Sequence, residues 1–262
     1  MPAGVDVYPI AVLVHGSGAL DRDETIEQNT PFAEIAHGLC KRGIATLRYD
    51  KRTFVYPQAV QNGITLSEET LDDAVSAIRL AESLAGEGKV FVIGHSLGAM
   101  CAPWIATLAP QTAGIVMMAA PARPLADIIV EQTDYLMPSG ASQEYKDEQV
   151  AAFKARMPHY FEGEIKDYDQ VETARSLTLP ILILQGERDY QVRMTDYRLW
   201  QQALAGKPNV ETHSYPGLHH LFHETRSDTE LSTPMDYFEK GEIPAQVIDD
   251  IADFIKRASA GN

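Results

Sequence analysis

The stretch Gly94-His95-Ser96-Leu97-Gly98 sets a serine between two glycines, after the apolar run VFVI and before LGAMCAPWIATLA, which has helical character. A G-x-S-x-G pattern alone is weak, since it arises by accident in about one chain in ten of this length. A strand before it and a helix after it make it specific, because that junction is a tight, strained turn lifting the serine hydroxyl above a sheet. Glycines two residues to either side are needed where a Cβ would collide with the neighbouring strand and helix. The first amides of the following helix point at the serine and favour negative charge beside it. Pro103 removes one bond of that helix and is expected to kink it.

A serine hydroxyl is a poor nucleophile until a base takes its proton. In a strand-turn-helix setting of this kind the partners follow in the order Ser, Asp or Glu, His. After the apolar run of ILILQGERDY come Glu187 and Asp189. Asp189, farther beyond the strand end, is the expected acid, and Glu187 a loop carboxylate facing solvent or paired with Arg188. The segment VETHSYPGLHHLF then offers His213, His219, His220 and His223. His213 falls inside the strand and is expected to pack. His219 and His220 both follow the Pro216-Gly217 turn, and the residues alone leave the choice between them open. His219 and His223 are four apart, but there is no HExxH pattern and the turn argues against one helix presenting both, so no metal site is expected. The first apolar run ends in His15-Gly16-Ser17-Gly18, a turn suited to supplying backbone N–H groups. With the N–H of Leu97 as one donor, that of Ser17 is the expected second donor to a tetrahedral oxyanion. No GxxxxGK[ST] motif makes this turn a phosphate loop.

Elements must position these residues. Apolar, β-branched runs recur at residues 10–14, 44–49, 90–94, 114–120, 181–185 and 210–215, separated by stretches of helical period. Pro31 to Arg42 starts after Thr30 and stops before Gly43. Thr65 to Leu84 opens on the capping-box pair Thr65 and Glu68, with Leu71, Val75 and Ile78 on one stripe. Ala245 to Lys256 sets Val247, Ile251 and Ile255 on one face. This alternation predicts an α/β fold, a mostly parallel sheet with helices on both faces and ligands at the carboxyl ends of its strands. Residues 122–177 interrupt it with a charged helical stretch carrying Tyr135, Leu136, Met137, Phe153, Met157, Tyr160 and Phe161. It is expected to form a helical cap over the site, lined by those residues, with 1–121 and 178–262 as the core.

With 262 residues, 45% of them hydrophobic, the chain can build one large core without disulfide or metal support. Its two cysteines, Cys40 and Cys101, form no CxxC pair and read as buried thiols of a reducing compartment. The N-terminal fifteen residues lack Lys and Arg, and their short apolar run reads as a core strand, not a leader or membrane span. A cytoplasmic location is the resulting expectation. The net charge of −15 disfavours nucleic acid and anionic membrane as partners.

Taken with HGSGALDRDE (15–24), NTPFAEIAHGLCKRGIATLRYDKRT (29–53), IGHSLGA (93–99), QGERDYQV (185–192) and YPGLHHLF (215–222), the chain resembles the α/β-hydrolase superfamily. More narrowly, it is similar to bacterial carboxylesterases of the EstD type, over residues 10 to 225. The resemblance implies Ser96 as nucleophile, Asp189 as acid and His220 as base, in hydrolysis of short-chain carboxylic esters without a cofactor. His219 stands where that family commonly has Asn. A serine amidase or oligopeptidase, or a non-catalytic binding protein on the same scaffold, is the alternative. Only about nine residues precede the first apolar run, so the two antiparallel strands that usually open the fold are expected to be absent. Residues 44–49 would then form a sheet edge, open to pairing in a homodimer. The charged stretches 21–24 and 48–52 follow neighbouring strands and are expected to pair, bracing the turn at residues 15–18. A role for Lys51 or Arg52 in binding a substrate carboxylate is the less favoured reading.

Overall fold

The apolar runs form six strands of one sheet: β1 (Ile10–Val14), β2 (Ala45–Leu47), β3 (Val90–His95), β4 (Gly114–Met118), β5 (Ile181–Gly186) and β6 (Val210–Tyr215). The structure, a computed structural model, describes residues 7–58 and 63–260. Residues 1–6, part of the stretch read as carrying no leader, lie outside the described residues. All neighbouring strands are parallel, in the order β2-β1-β3-β4-β5-β6. No antiparallel strand joins this sheet among the described residues, and β2 is an edge, as expected.

Ten helices follow in chain order among the described residues: α1 (Pro31–Cys40), α2 (Arg52–Val55), α3 (Asp72–Ala85), α4 (Leu97–Leu108), α5 (Leu125–Leu136), α6 (Gln143–Arg156), α7 (Glu164–Asp167), α8 (Gln170–Ser176), α9 (Met194–Ala203) and α10 (Ala245–Ala260). A parallel sheet covered on both faces needs continuous apolar strands, and every residue of β1, β3, β4 and β5 is buried. Successive side chains point to opposite faces. Ile10, Val12 and Val14 therefore pack with Ala74 and Ile78 of α3, Ala102 of α4 and Trp200 of α9. Ala11 and Leu13 pack with Phe32 and Ile35 of α1 and with Ile251 and Ile255 of α10.

Two helices differ in detail from the periodicity. Thr65 and Glu68 do form their reciprocal bonds, Thr65 N–H to Glu68 Oε2 at 2.9 Å and Glu68 N–H to Thr65 Oγ1 at 3.1 Å. Residues Ser67–Leu71, Glu68 among them, make a π-helical turn before α3 begins. The buried face of α3 then runs through Ala74, Ala77, Ile78 and Ala81, with Val75 only half-buried. Helix α4 continues unbroken through Pro103. Cys101 is buried within it, whereas Cys40 is exposed at the end of α1.

Helices α5 to α8 and a 3-10 turn at Pro158–Tyr160 lie between β4 and β5, within the segment read as an insertion. Among the described residues, no helix is long and apolar enough to cross a membrane.

Candidate active site

Ser96 occupies the junction of β3 and α4 with φ 53° and ψ −116°. A positive φ is uncommon for a non-glycine residue and persists only where the surroundings enforce it. They do: the Ser96 N–H donates to Met118 O at 2.9 Å, while the glycines let the backbones close in. A Cβ on Gly94 would lie 2.3 Å from the Gly98 carbonyl oxygen, and one on Gly98 only 2.2 Å from that of Val14. Both glycines are there for space.

The turn after β1 comes equally close, since a Cβ on Gly16 would sit 3.2 Å from Ser96 Cβ. Its amides are unevenly occupied. Gly16 N–H donates to Glu24 Oε1 at 2.7 Å, and Gly18 N–H to Glu69 Oε1 and Tyr160 Oη, each at 3.1 Å. The N–H groups of Ser17 and Leu97 have no protein acceptor among the described residues, so the two amides expected to serve an oxyanion are those left unused.

Asp189, fully buried past β5, meets His220 Nδ1 at 2.7 Å through Oδ2. Its Oδ1 accepts the N–H groups of Gln191 and Val192 at 2.7 and 3.0 Å, which fixes the carboxyl plane. With the Nδ1 proton directed to Asp189, His220 keeps its Nε2 lone pair for a second partner. The loop reaches this position because Gly186 lacks a Cβ, which would meet the Leu218 carbonyl at 2.5 Å and that of His219 at 2.8 Å. Ser96, His220, Gly16 and Ser17 all line one cavity of about 240 Å³. No hydrogen bond joins Ser96 Oγ to His220 among the described residues. In unliganded sites such contacts commonly tighten only when substrate arrives.

His219 turns the other way. Its Nδ1 accepts the Leu221 N–H at 3.1 Å and its ring abuts Tyr237 and His223. Burial, with His223 beside it, lowers its pKa to about 4, which keeps the ring neutral. His223 Nε2 lies 3.2 Å from Glu34, and no group of three or more His, Cys, Asp or Glu side chains is placed to hold a metal ion among the described residues. His213 is exposed on β6 instead of packed. Glu187 accepts from Ser214 Oγ at 2.8 Å, while Arg188 donates to the carbonyls of Ser227 and Thr229.

The charged stretches pair as expected, Arg22 with Asp50 at 2.6 Å and Arg48 with Asp23. The other members go elsewhere, Arg52 to Asp73 and Asp21 to Thr25. Lys51 is buried, donating to Gly16 O and to Glu69 Oε1, each at 2.6 Å. Glu24 is also buried and stands 3.0 Å from His95 Nδ1, off the line of a straight hydrogen bond. Burial works against both charges, yet their mutual attraction holds Glu24 below the usual carboxylate range and raises His95. The other ring nitrogen of His95 contacts the His220 carbonyl at 2.9 Å. Glu69 and His95 had no assigned part in the sequence reading, and Glu24 was read only as a member of the pairing stretch 21–24. The available signal was two adjacent glutamates at a helix start, of which Glu68 is taken up by the capping box with Thr65 and Glu69 is left over.

The wall of the cavity next to the insertion also departs from expectation. Of the seven large residues named above, Phe153 and Tyr160 line it, joined by Leu125, Ile128, Ile129 and Gln132 of α5. Tyr135 stacks on Tyr190 and donates to Ser232 O at 3.0 Å, and Leu136 is exposed. Met157 and Phe161 pack against the main core.

The model of the alpha/beta hydrolase family matches residues 11–231. The chain is 37% identical over 264 residues to Esterase EstD of Thermotoga maritima, covering 96% of this chain and 63% of that protein's length. Among solved structures, Est1E from Butyrivibrio proteoclasticus aligns with TM-score 0.60 at 15% identity, over 99% of this chain and 92% of that one. The Pyrococcus furiosus esterase Pf2001 aligns at 0.63 and 16%, over 96% and 82%. A proline iminopeptidase from Mycobacterium smegmatis aligns at 0.60 and 15%, over 97% and 90%. At such identities these structures carry the fold alone, and a fold hosts many chemistries. From its strand order, its strained serine turn and the extent of the family match, the chain belongs to the alpha/beta hydrolase family.

Proposed function

We propose that this protein is a serine carboxylesterase acting on short-chain carboxylic esters through an acyl-enzyme. The observation that carries the reading is the Asp189–His220 pair, at 2.7 Å, on the wall of the cavity that Ser96 also lines. Ser96 Oγ attacks the ester carbonyl carbon while His220 Nε2 takes its proton. The carbonyl oxygen becomes an oxyanion held by the N–H groups of Ser17 and Leu97. His220 returns the proton to the leaving alcohol as the C–O bond breaks, and Asp189 offsets the passing positive charge. Water then repeats the sequence on the acyl-serine, releasing the acid. Residues 122–177 act as a cap, with 1–121 and 178–262 as the core, and the protein works in the cytoplasm, consistent with its two unpaired cysteines.

The identity with Esterase EstD supports the ester as substrate class. The cavity, at about 240 Å³, is smaller than the roughly 300–1,000 Å³ of pockets for drug-sized ligands, which favours short acyl groups. No Lys or Arg lines it among the described residues, Lys51 is committed to Glu69, and Arg52 is bound to Asp73 at 2.6 Å. Neutral esters therefore fit better than esters bearing a free carboxylate. With 4-nitrophenyl esters of graded acyl length, acetate to butyrate is expected to give kcat/KM about tenfold or more above octanoate. Faster turnover of an aminoacyl anilide than of any ester would move the assignment to an amidase.

A homodimer joined near residues 44–49 belongs to the same reading. Edge strand β2 is flanked by exposed Val55, Tyr56 and Leu80, so an apolar surface continues past the open edge. Light scattering at micromolar concentration is expected to give about twice the 28.9 kDa of one chain, and a purely monomeric mass would overturn the dimer.

A further inference from the structure

One buried carboxylate joins three parts of the molecule that the mechanism treats separately. Glu69, only 1% exposed, sits in the π-helical turn Ser67–Leu71. Such turns widen a helix locally and recur at functional sites. Its Oε1 accepts from Lys51 Nζ at 2.6 Å, Tyr160 Oη at 2.8 Å and Gly18 N–H at 3.1 Å, while Oε2 meets His159 Nε2 at 2.7 Å. Lys51 carries the connection on to Gly16 O at 2.6 Å. The turn at residues 16–18 is thus gripped on both sides of Ser17, whose N–H stays free.

His159 and Tyr160 come from the helical insertion. Tyr160 Oη also accepts from Gly18 N–H at 3.1 Å, so the insertion touches the turn directly as well as through Glu69. A second strap binds the same π-helical turn, where Ser67 N–H and Oγ donate to Glu164 at 2.9 and 2.7 Å. A buried carboxylate with this many donors is costly unless every partner is in place. Burial opposes its charge, but Lys51 and the hydrogen bonds of His159, Lys51 and Tyr160 hold the Glu69 carboxyl at about 2. Removing the insertion from the core would therefore strip Glu69 of two donors and leave Gly18 N–H with a weakened hold.

We propose that Glu69 is a positioning residue for the oxyanion turn, and that it is competent only while His159 and Tyr160 of the docked insertion bind it. Acyl transfer is then conditional on docking of the insertion. The inference rests on the esterase reading, and it adds a function for the insertion beyond enclosing substrate. Glu69 does not line the cavity, so its effect reaches the substrate through the turn.

Three variants test it, Glu69→Gln, Tyr160→Phe and the double variant, with kcat taken per site titrated by a diethyl phosphoryl label. Each single change is expected to lower kcat for 4-nitrophenyl acetate about 10- to 100-fold with KM nearly unchanged. Affinity for a trifluoromethyl ketone, which forms a tetrahedral oxyanion on the serine, should fall by the same factor. The double variant should lose little more than the worse single one, since both act through one junction. If Glu69→Gln does not fold, Tyr160→Phe decides alone by matched losses in kcat and ketone affinity. Values of kcat and ketone affinity within twofold of wild type, or multiplicative losses in a folded double variant, would overturn the proposal. A wild-type protein that neither takes the label at Ser96 nor hydrolyses esters would end the esterase reading itself. An active, labelled wild type with unaffected variants ends only this inference.

Discussion

Ser96→Ala is expected to lower kcat for 4-nitrophenyl acetate by about a million-fold, the scale seen when a triad nucleophile is removed from a serine hydrolase. That corresponds to about 8 kcal/mol of barrier. The residue supplies the only group in the proposed mechanism that becomes covalently bound, and no other serine stands at the turn between β3 and α4. Residual activity, if measurable, should come from the free N–H groups of Ser17 and Leu97 acting on bound ester with water as nucleophile. Stability should hardly change. Alanine meets the same positive-φ cost as serine, and the Ser96 N–H bond to Met118 O is a backbone contact the variant keeps. An unchanged Tm together with lost turnover and lost organophosphate labelling separates a chemical role from a folding defect. Near-normal turnover by a cleanly purified Ser96→Ala protein would end the assignment of Ser96.

Why Ser96 was legible in the sequence, and Glu69 was not, has a physical reason. The turn at residues 94–98 constrains backbone, and backbone demands leave residue-type marks: glycines where a Cβ would collide, an apolar strand before, a helix after. Strands β1, β3, β4 and β5 were legible for the same reason, since burial on both faces demands unbroken apolar runs. The choice between His219 and His220 is different. Adjacent residues in a loop point in opposite directions, and only the path set by Gly186 against the Leu218 and His219 carbonyls decides which ring meets Asp189. Glu69, Lys51 and Glu24 resemble solvated loop charges because burial of a single charge is paid for by partners distant in sequence. Gly18 lies 51 positions from Glu69 and Tyr160 lies 91 from it. The insertion misled in a related way. Its large aromatic side chains suggested a lining, and Phe153 and Tyr160 do face the cavity, but so does the short aliphatic row Leu125, Ile128 and Ile129 of α5, while Tyr135 stacks elsewhere. Helical period identifies an apolar stripe without saying which surface it meets.

The second large effect is expected from a single methyl group. Gly98→Ala places a Cβ 2.2 Å from the Val14 carbonyl oxygen and 2.6 Å from that of His15. Both obstacles are backbone, at the end of a central strand, so no side-chain rotation relieves the contact. The start of α4 must move away from β1, or β1 must bend. Overpacking a core costs about 1–3 kcal/mol, and a rigid backbone obstacle belongs at or above the upper end. For a chain of this size that amounts to a fall in Tm of roughly 6–12 °C. The displacement also falls between the two proposed oxyanion donors, since Gly98 follows Leu97 while Val14 and His15 lead into Ser17. A separation of about 1 Å at such a site is worth roughly a hundredfold in rate. Gly18→Ala provides the contrast: Gly18 has φ 92° and nothing within 4 Å of its virtual Cβ, so that variant meets backbone strain without collision. Its stability loss should be nearer 1–2 kcal/mol. Thermal denaturation and titrated kcat for the two variants separate space from φ. A Gly98→Ala protein as stable and as active as wild type would mean that strand β1 and helix α4 do not approach as closely as the strained turn at Ser96 requires.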